Sequence, residues 1–107
     1  MALKKAKDDD FDEKVVKTSK EKPVLVDFWA SWCMPCQQLK PTIEDIGKER
    51  EDIDVVTVNI DEAEEKPQEY GVRSVPNVNL FVDGEVVDSF VGNRTKEDIN
   101  EWIDENI

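Results

Sequence analysis

The amino-acid sequence predicts an α/β fold: a central mixed β-sheet of four to five strands with helices on both faces. Three observations carry this. Val24–Trp29 is a near-continuous apolar run, suited to a strand covered on both faces. A helical repeat and then a second strand-like run, residues 53–60, follow it, and a strand–helix–strand unit demands a right-handed crossover with parallel pairing. Asp83-Gly84 lies between two further strand-like runs and is a strong two-residue hairpin turn, which makes the last two strands antiparallel. Parallel and antiparallel pairing in one chain, with amphipathic helices to cover it, gives the mixed sheet.

The 107 residues suit one domain, expected over residues 1–107, with no internal repeat and no low-complexity linker. Twenty-six acidic residues against 14 basic ones give a formal charge of −12, which argues against nucleic acid or an anionic membrane as partner. No stretch approaches transmembrane length. There is no histidine, which removes the commonest general base and metal ligand. Lysines at 4, 5 and 7 are followed by Asp8-Asp9-Asp10 rather than by an apolar run, so no signal peptide is expected. The expected location is the cytoplasm, where thiols are kept reduced, and the expected state is a monomer.

In chain order, residues 1–9 offer only Leu3 and Ala6 as apolar anchors, enough for a short edge strand. Phe11, Val15 and Val16 mark a short helix to about Ser19, with Asp10 as its N-cap. After a turn at 20–23 comes the first central strand, 24–29. The next helix begins at the cysteine pair; Leu39, Ile43 and Ile46 mark its buried face, and Pro41 should kink it. Lys48 to Asp52 reads as an exposed helix end and loop, and 53–60 as the second central strand. Residues 66–70 form a short helix closed by Gly71 in a left-handed cap. Val78–Val82 and 85–91 are the hairpin strands. Thr95 and Asp98 resemble a capping box, and Ile99, Trp102, Ile103 and Ile107 line one face of a last helix.

The chemistry centres on Cys33-Met34-Pro35-Cys36, which holds the only two cysteines. Placed at the start of a helix, the first sulfur lies near unpaired backbone N–H groups that stabilise a thiolate, the form that attacks disulfides. The leading reading is dithiol–disulfide exchange. The residues alone leave alternatives open: two buried small side chains with no chemistry, or a metal or iron–sulfur cluster shared between two chains. A mononuclear zinc site within the chain would need two further ligands, and there is no histidine or third cysteine to supply them.

The stretch Val26-Asp27-Phe28-Trp29-Ala30-Ser31-Trp32-Cys33, with Pro35 and Cys36, resembles the active-site segment of the thioredoxin family. Pro41, Val58–Asp61, Tyr70-Gly71-Val72, Val75-Pro76, Phe81 with Gly84, and Gly92 resemble later landmarks of that family in order and spacing, over nearly the whole chain. The resemblance implies a thioredoxin fold with a cis peptide before Pro76, facing the cysteines. It implies that Cys33 is the nucleophile and Cys36 the resolving thiol, with substrate pairing to the backbone of Val75. Trp32, Met34, Pro35, Ile60 and Gly92 would form a shallow apolar rim around them. It places Asp27 behind Cys36 as a proton acceptor and donor. Burial in an apolar strand should raise the Asp27 pKa, and the alternative is an edge aspartate hydrogen-bonded to backbone. Trp29 and Trp102 are expected in the core, and Trp32 partly exposed.

Met34 replaces a glycine usual in the family, Gln37 and Thr57 stand where lysines are frequent, and Asn77 and Asn79 where the strand is usually more apolar. Losing a cation at Thr57 should leave Asp27 more easily protonated. The expected function is protein-disulfide reduction through Cys33 and Cys36. No cofactor is expected beyond that redox-active disulfide, and no metal. The expected partners are disulfide-containing proteins and a thioredoxin-reductase-type electron donor. A disulfide oxidant or isomerase and a docking subunit without turnover are the alternatives. The first is disfavoured because Met34-Pro35 supplies nothing that stabilises the thiolate as strongly as a histidine there would.

Overall fold

The computed structural model describes residues 3–107. Its sheet holds five strands: β1 (Leu3–Lys5), β2 (Val24–Trp29), β3 (Asp54–Asn59), β4 (Asn77–Val82) and β5 (Glu85–Val91), in the spatial order β1-β3-β2-β4-β5. β3 pairs parallel with both β1 and β2, while β4 is antiparallel to β2 and β5 to β4. The mixed sheet therefore has the pairing that the crossover and the hairpin require.

Helices α1 (Met34–Glu49) and α3 (Lys96–Asn106) cover one face, where Leu39, Ile43 and Ile46 meet Ile99, Trp102 and Ile103 over Leu25, Val55 and Leu80. The N-terminal turns and α2 (Glu65–Glu69) cover the other, where Phe11 contacts the rings of Phe28, Tyr70 and Phe81 at 6.1, 5.4 and 5.8 Å between centroids. β2 lies between β3 and β4 and, like β4, is buried along nearly its whole length, because each face has its own helical layer. That explains the apolar run at Val24–Val26 and Phe28.

Local details follow from side-chain chemistry. Asp83 (φ 53°) and Gly84 (φ 84°) take the paired positive-φ conformations of a tight hairpin. Thr95 caps α3 by accepting the Asp98 N–H at 3.1 Å, and Gly71 (φ 68°) ends α2. The indole N–H of Trp102, edge-on to Phe90, is satisfied by Asp88 at 2.8 Å. Pro41 sits inside α1 without ending it. No helix among the described residues is long and apolar enough to cross a membrane.

Four expectations are corrected. The segment after Asp10 is a π-helical turn, Asp12–Lys17, tightening into a 3-10 turn, Thr18–Lys20, in place of a regular helix. Asp10 does not cap it: its carboxylate accepts the Lys7 N–H at 2.7 Å and pairs with Lys14 at 2.8 Å. Ile107 is 52% exposed because α3 ends one residue earlier, past the last turn that faces the core. Trp29 is half-buried, since at the end of β2 it borders a cavity beside Lys40 and Cys36 rather than close-packed core.

Phe11 is fully buried and joins the N-terminal turns to β2, β4 and the residue after α2. Replacing it with alanine should lower the unfolding free energy by about 3–5 kcal/mol, read as a lower denaturant midpoint at unchanged slope. A loss below about 1 kcal/mol would show that this layer does not hold the sheet as described.

Candidate active site

β2 delivers the chain to the site. Beyond Trp29 the backbone turns at Ala30, whose carbonyl accepts the Cys33 N–H at 3.2 Å. Cys33 is extended (φ −95°, ψ 113°) and occupies the N-cap of α1, with Pro35 in the first turn, where a backbone N–H has no intrahelical role. The Cys36 N–H points at the Cys33 Sγ, 3.2 Å away, so the sulfur takes the place of a capping oxygen. Cys33 and Cys36 are joined as a disulfide with Cα atoms 5.3 Å apart, and both are buried. Gln37 braces the preceding loop by donating its side-chain amide to the Ser31 carbonyl at 3.2 Å.

The β3 and β4 ends bring the remaining residues to this pair. Ile60 donates its N–H to the Trp29 carbonyl at 2.9 Å, and its side chain packs with Val75 against Ala30, Cys33 and Cys36. The Val75–Pro76 peptide is cis, and the Val75 carbonyl oxygen lies 3.5 Å from the Cys33 Sγ. Gly92, at φ 99°, reaches over to donate to the Pro76 carbonyl at 2.9 Å. Trp32 and Met34 stand out at 68% and 70% exposure beside an exposed Pro35. The Trp32 indole N–H contacts Asp61 at 3.3 Å, which tethers the ring toward the β3–α2 connector.

Two aspartates are buried in the sheet, and their surroundings separate them. Burial would raise the pKa of Asp54, yet hydrogen bonds from Lys4 and Lys22 at 2.8 and 2.9 Å outweigh it and hold the carboxyl below its ordinary range. Asp27 has no such partner. It is 3% exposed, its Oδ1 has no hydrogen-bond partner among the described residues, and burial pushes its pKa up to about 7. On β3 its register neighbour is Thr57 and on β4 it is Val78, neither of them charged.

Asp27 and Cys36 line one cavity of about 190 Å³, together with Trp29, Thr57, Lys40 and Glu44. The cavity, Lys40 and Glu44 escaped the sequence reasoning. A signal existed: Cys36, Lys40 and Glu44 recur every four residues, which places them on one stripe of a helix.

Fold and cysteine pair together define a dithiol–disulfide exchange protein. The thioredoxin family model matches residues 2–105. Thioredoxin of Rickettsia bellii is 50% identical over 101 residues, covering 94% of each chain. Thioredoxin of Streptomyces clavuligerus is 46% identical over 94 residues, 88% of this chain and 86% of its own. Thioredoxin of Rhodospirillum rubrum is 37% identical over 106 residues, 98% of this chain and 100% of its own. The chain belongs to the thioredoxin family, whose members are thiol–disulfide oxidoreductases, and its function is the reduction of protein disulfides.

The raised pKa of Asp27 makes stability depend on pH. Below about pH 4 both folded and unfolded states hold the proton, and Asp27 contributes no pH dependence. Between about pH 4 and 7 the folded state keeps a proton that the unfolded state has released, so stability falls as pH rises. Above pH 7 the loss is complete, on the order of 4 kcal/mol. Asp27→Asn lacks this decline. Denaturation of both proteins at several pH values should show the variant gaining on the parent through this window; a difference independent of pH would contradict the assigned burial.

Proposed function

We propose that Cys33 is the nucleophile of this reductase, Cys36 the resolving thiol, and Asp27 the group that takes and returns the Cys36 proton. The observation that carries this reading is the Cys36 N–H aimed at the Cys33 Sγ, 3.2 Å away, at the N-terminus of α1. The positive end of the helix and that N–H both favour a Cys33 thiolate, whereas Cys36 lies one turn inside and lines a cavity with Asp27.

In the forward reaction the Cys33 thiolate attacks one sulfur of a substrate disulfide. The substrate S–S bond breaks, one substrate sulfur leaves as thiolate, and the other is held in a mixed disulfide with Cys33. The Cys36 thiol gives its proton to the Asp27 carboxylate and attacks the Cys33 Sγ. The Cys33–Cys36 bond forms, and the second substrate sulfur departs as a thiolate that takes its proton from water. Two electrons have passed from the dithiol to the substrate. A thioredoxin-reductase-type donor returns them by reducing the Cys33–Cys36 disulfide.

The substrate chain is laid along the backbone of Val75 beside Pro76, where a substrate sulfur can reach Cys33. Trp32, Met34, Pro35, Ile60 and Gly92 form the surrounding rim, and exposed Trp32 and Met34 give it an apolar, adaptable surface. The cytosol, where thiols are kept reduced, is the compartment in which such a reductase works. Met34-Pro35 offers the thiolate neither charge nor a side-chain donor, which favours a reductase over an oxidant.

Cys33→Ser should abolish reduction of a protein disulfide and form no mixed disulfide. Cys36→Ser should also stop turnover but accumulate a mixed disulfide with the substrate, visible as a mass adduct that thiol reductant removes. An adduct on Cys33→Ser and none on Cys36→Ser would reverse the two roles.

A further inference from the structure

Exchange with solvent of the proton that Asp27 takes up needs a path, since at 3% exposure the carboxyl has little direct contact with bulk water. The protein supplies one way out, the cavity of about 190 Å³ that Asp27 and Cys36 both line. That volume admits several waters, since one needs roughly 10–15 Å³, together with two to four polar partners. Such partners are present: the unpaired Asp27 Oδ1, the Thr57 hydroxyl, the Lys40 ammonium and the Glu44 carboxylate. Lys4 and Lys5 of β1 complete the charged groups that face the cavity. Lys40 lies over the Trp29 ring, 5.7 Å from its centroid, on the same helical stripe as Glu44. Glu44 is half-buried and is the only acidic side chain of the lining besides Asp27.

We propose that this cavity is a hydrated proton path and that Glu44 is its solvent-side relay, passing protons between Asp27 and bulk water. Glu44 is a positioning residue that acts through Asp27, and the inference rests on the role proposed for Asp27 above. In the resolving step the Asp27 carboxylate takes the Cys36 proton as the Cys33–Cys36 bond forms. In the same step, water in the cavity carries a proton on from Asp27 to the Glu44 carboxylate, which releases it to solvent, so resolution is slowed when the path is blocked. Reduction of the disulfide runs the transfer in reverse. Thr57 holds the water beside Asp27, where a lysine would instead place a fixed charge.

The test uses the full chain, reduced, in single turnover with Ellman's reagent. The first thionitrobenzoate released reports attack by Cys33, and the second reports resolution by Cys36. Glu44→Gln removes the relay, and Thr57→Ile, β-branched and so suited to its strand, places apolar bulk in the water path. Each should leave the first release unchanged and slow the second by about 10²-fold or less, the lower end for a positioned proton-transfer group. The slowed release should depend on pH differently from that of the parent. Millimolar acetate should restore speed to Glu44→Gln but not to Thr57→Ile. If Asp27→Asn slows the second release while Glu44→Gln and Thr57→Ile match the parent, the path through Glu44 is overturned and the role of Asp27 stands. If Asp27→Asn itself matches the parent, the role of Asp27 falls, and the inference with it.

Discussion

The contact on which the site depends is between the Cys36 backbone N–H and the Cys33 sulfur at the start of α1. A helix begins with N–H groups that need acceptors, and here a sulfur takes the place usually held by a Ser, Thr or Asp oxygen. The consequence is both structural and chemical. A neutral thiol is a weak acceptor, whereas a thiolate is a strong one, so the need of the helix for a cap favours the reactive form of Cys33. The surrounding architecture holds that sulfur in place. β2, buried on both faces, fixes the entry to the turn, and the cis-peptide loop brings the Val75 carbonyl to 3.5 Å on the other side.

The two buried aspartates differ in what surrounds them. Asp54, at the start of β3, is held by Lys4 and Lys22 and ties the edge strand to the segment before β2. Those lysines hold it ionised. Asp27, in the middle of the central strand, has no bonded cation and no donor for its Oδ1 among the described residues, and burial raises its pKa to about 7. The cost is stability at neutral pH, the kind of local conflict expected of the role proposed for Asp27.

Much of this was legible in the sequence because the signals were local. The apolar run of β2, the Asp83-Gly84 turn, Thr95 as a cap and Gly71 as a stop each act through their own backbone, and each element lies within a residue or two of its expected place. Ile60, Val75, Pro76 and Gly92 lie around the cysteine pair, and Asp27 shares a cavity with Cys36. What escaped was set by distant partners. Asp10 could not be recognised as bonding Lys7 and Lys14 rather than capping a helix, because both choices use the same carboxylate. Trp29 looked like core because its strand is core, and only the cavity it borders leaves it half-buried. Lys40 and Glu44 lie off the apolar stripe of α1 and so carried no signal of their own; a cavity against β1 and β3 gives them a common surface with Asp27.

The central claim is that a helix-capped Cys33 with a neutral Met34-Pro35 loop makes a reductant. The pair is poised by how much each sulfur form is stabilised, and about 30 mV corresponds to ~1.4 kcal/mol, within reach of one loop side chain. The direct measurement is the redox equilibrium of Cys33 and Cys36 against a thiol–disulfide buffer. The account predicts a potential near the thioredoxin value of about −270 mV. A value between about −180 and −120 mV would contradict it, because the pair would then draw electrons from its partners rather than supply them.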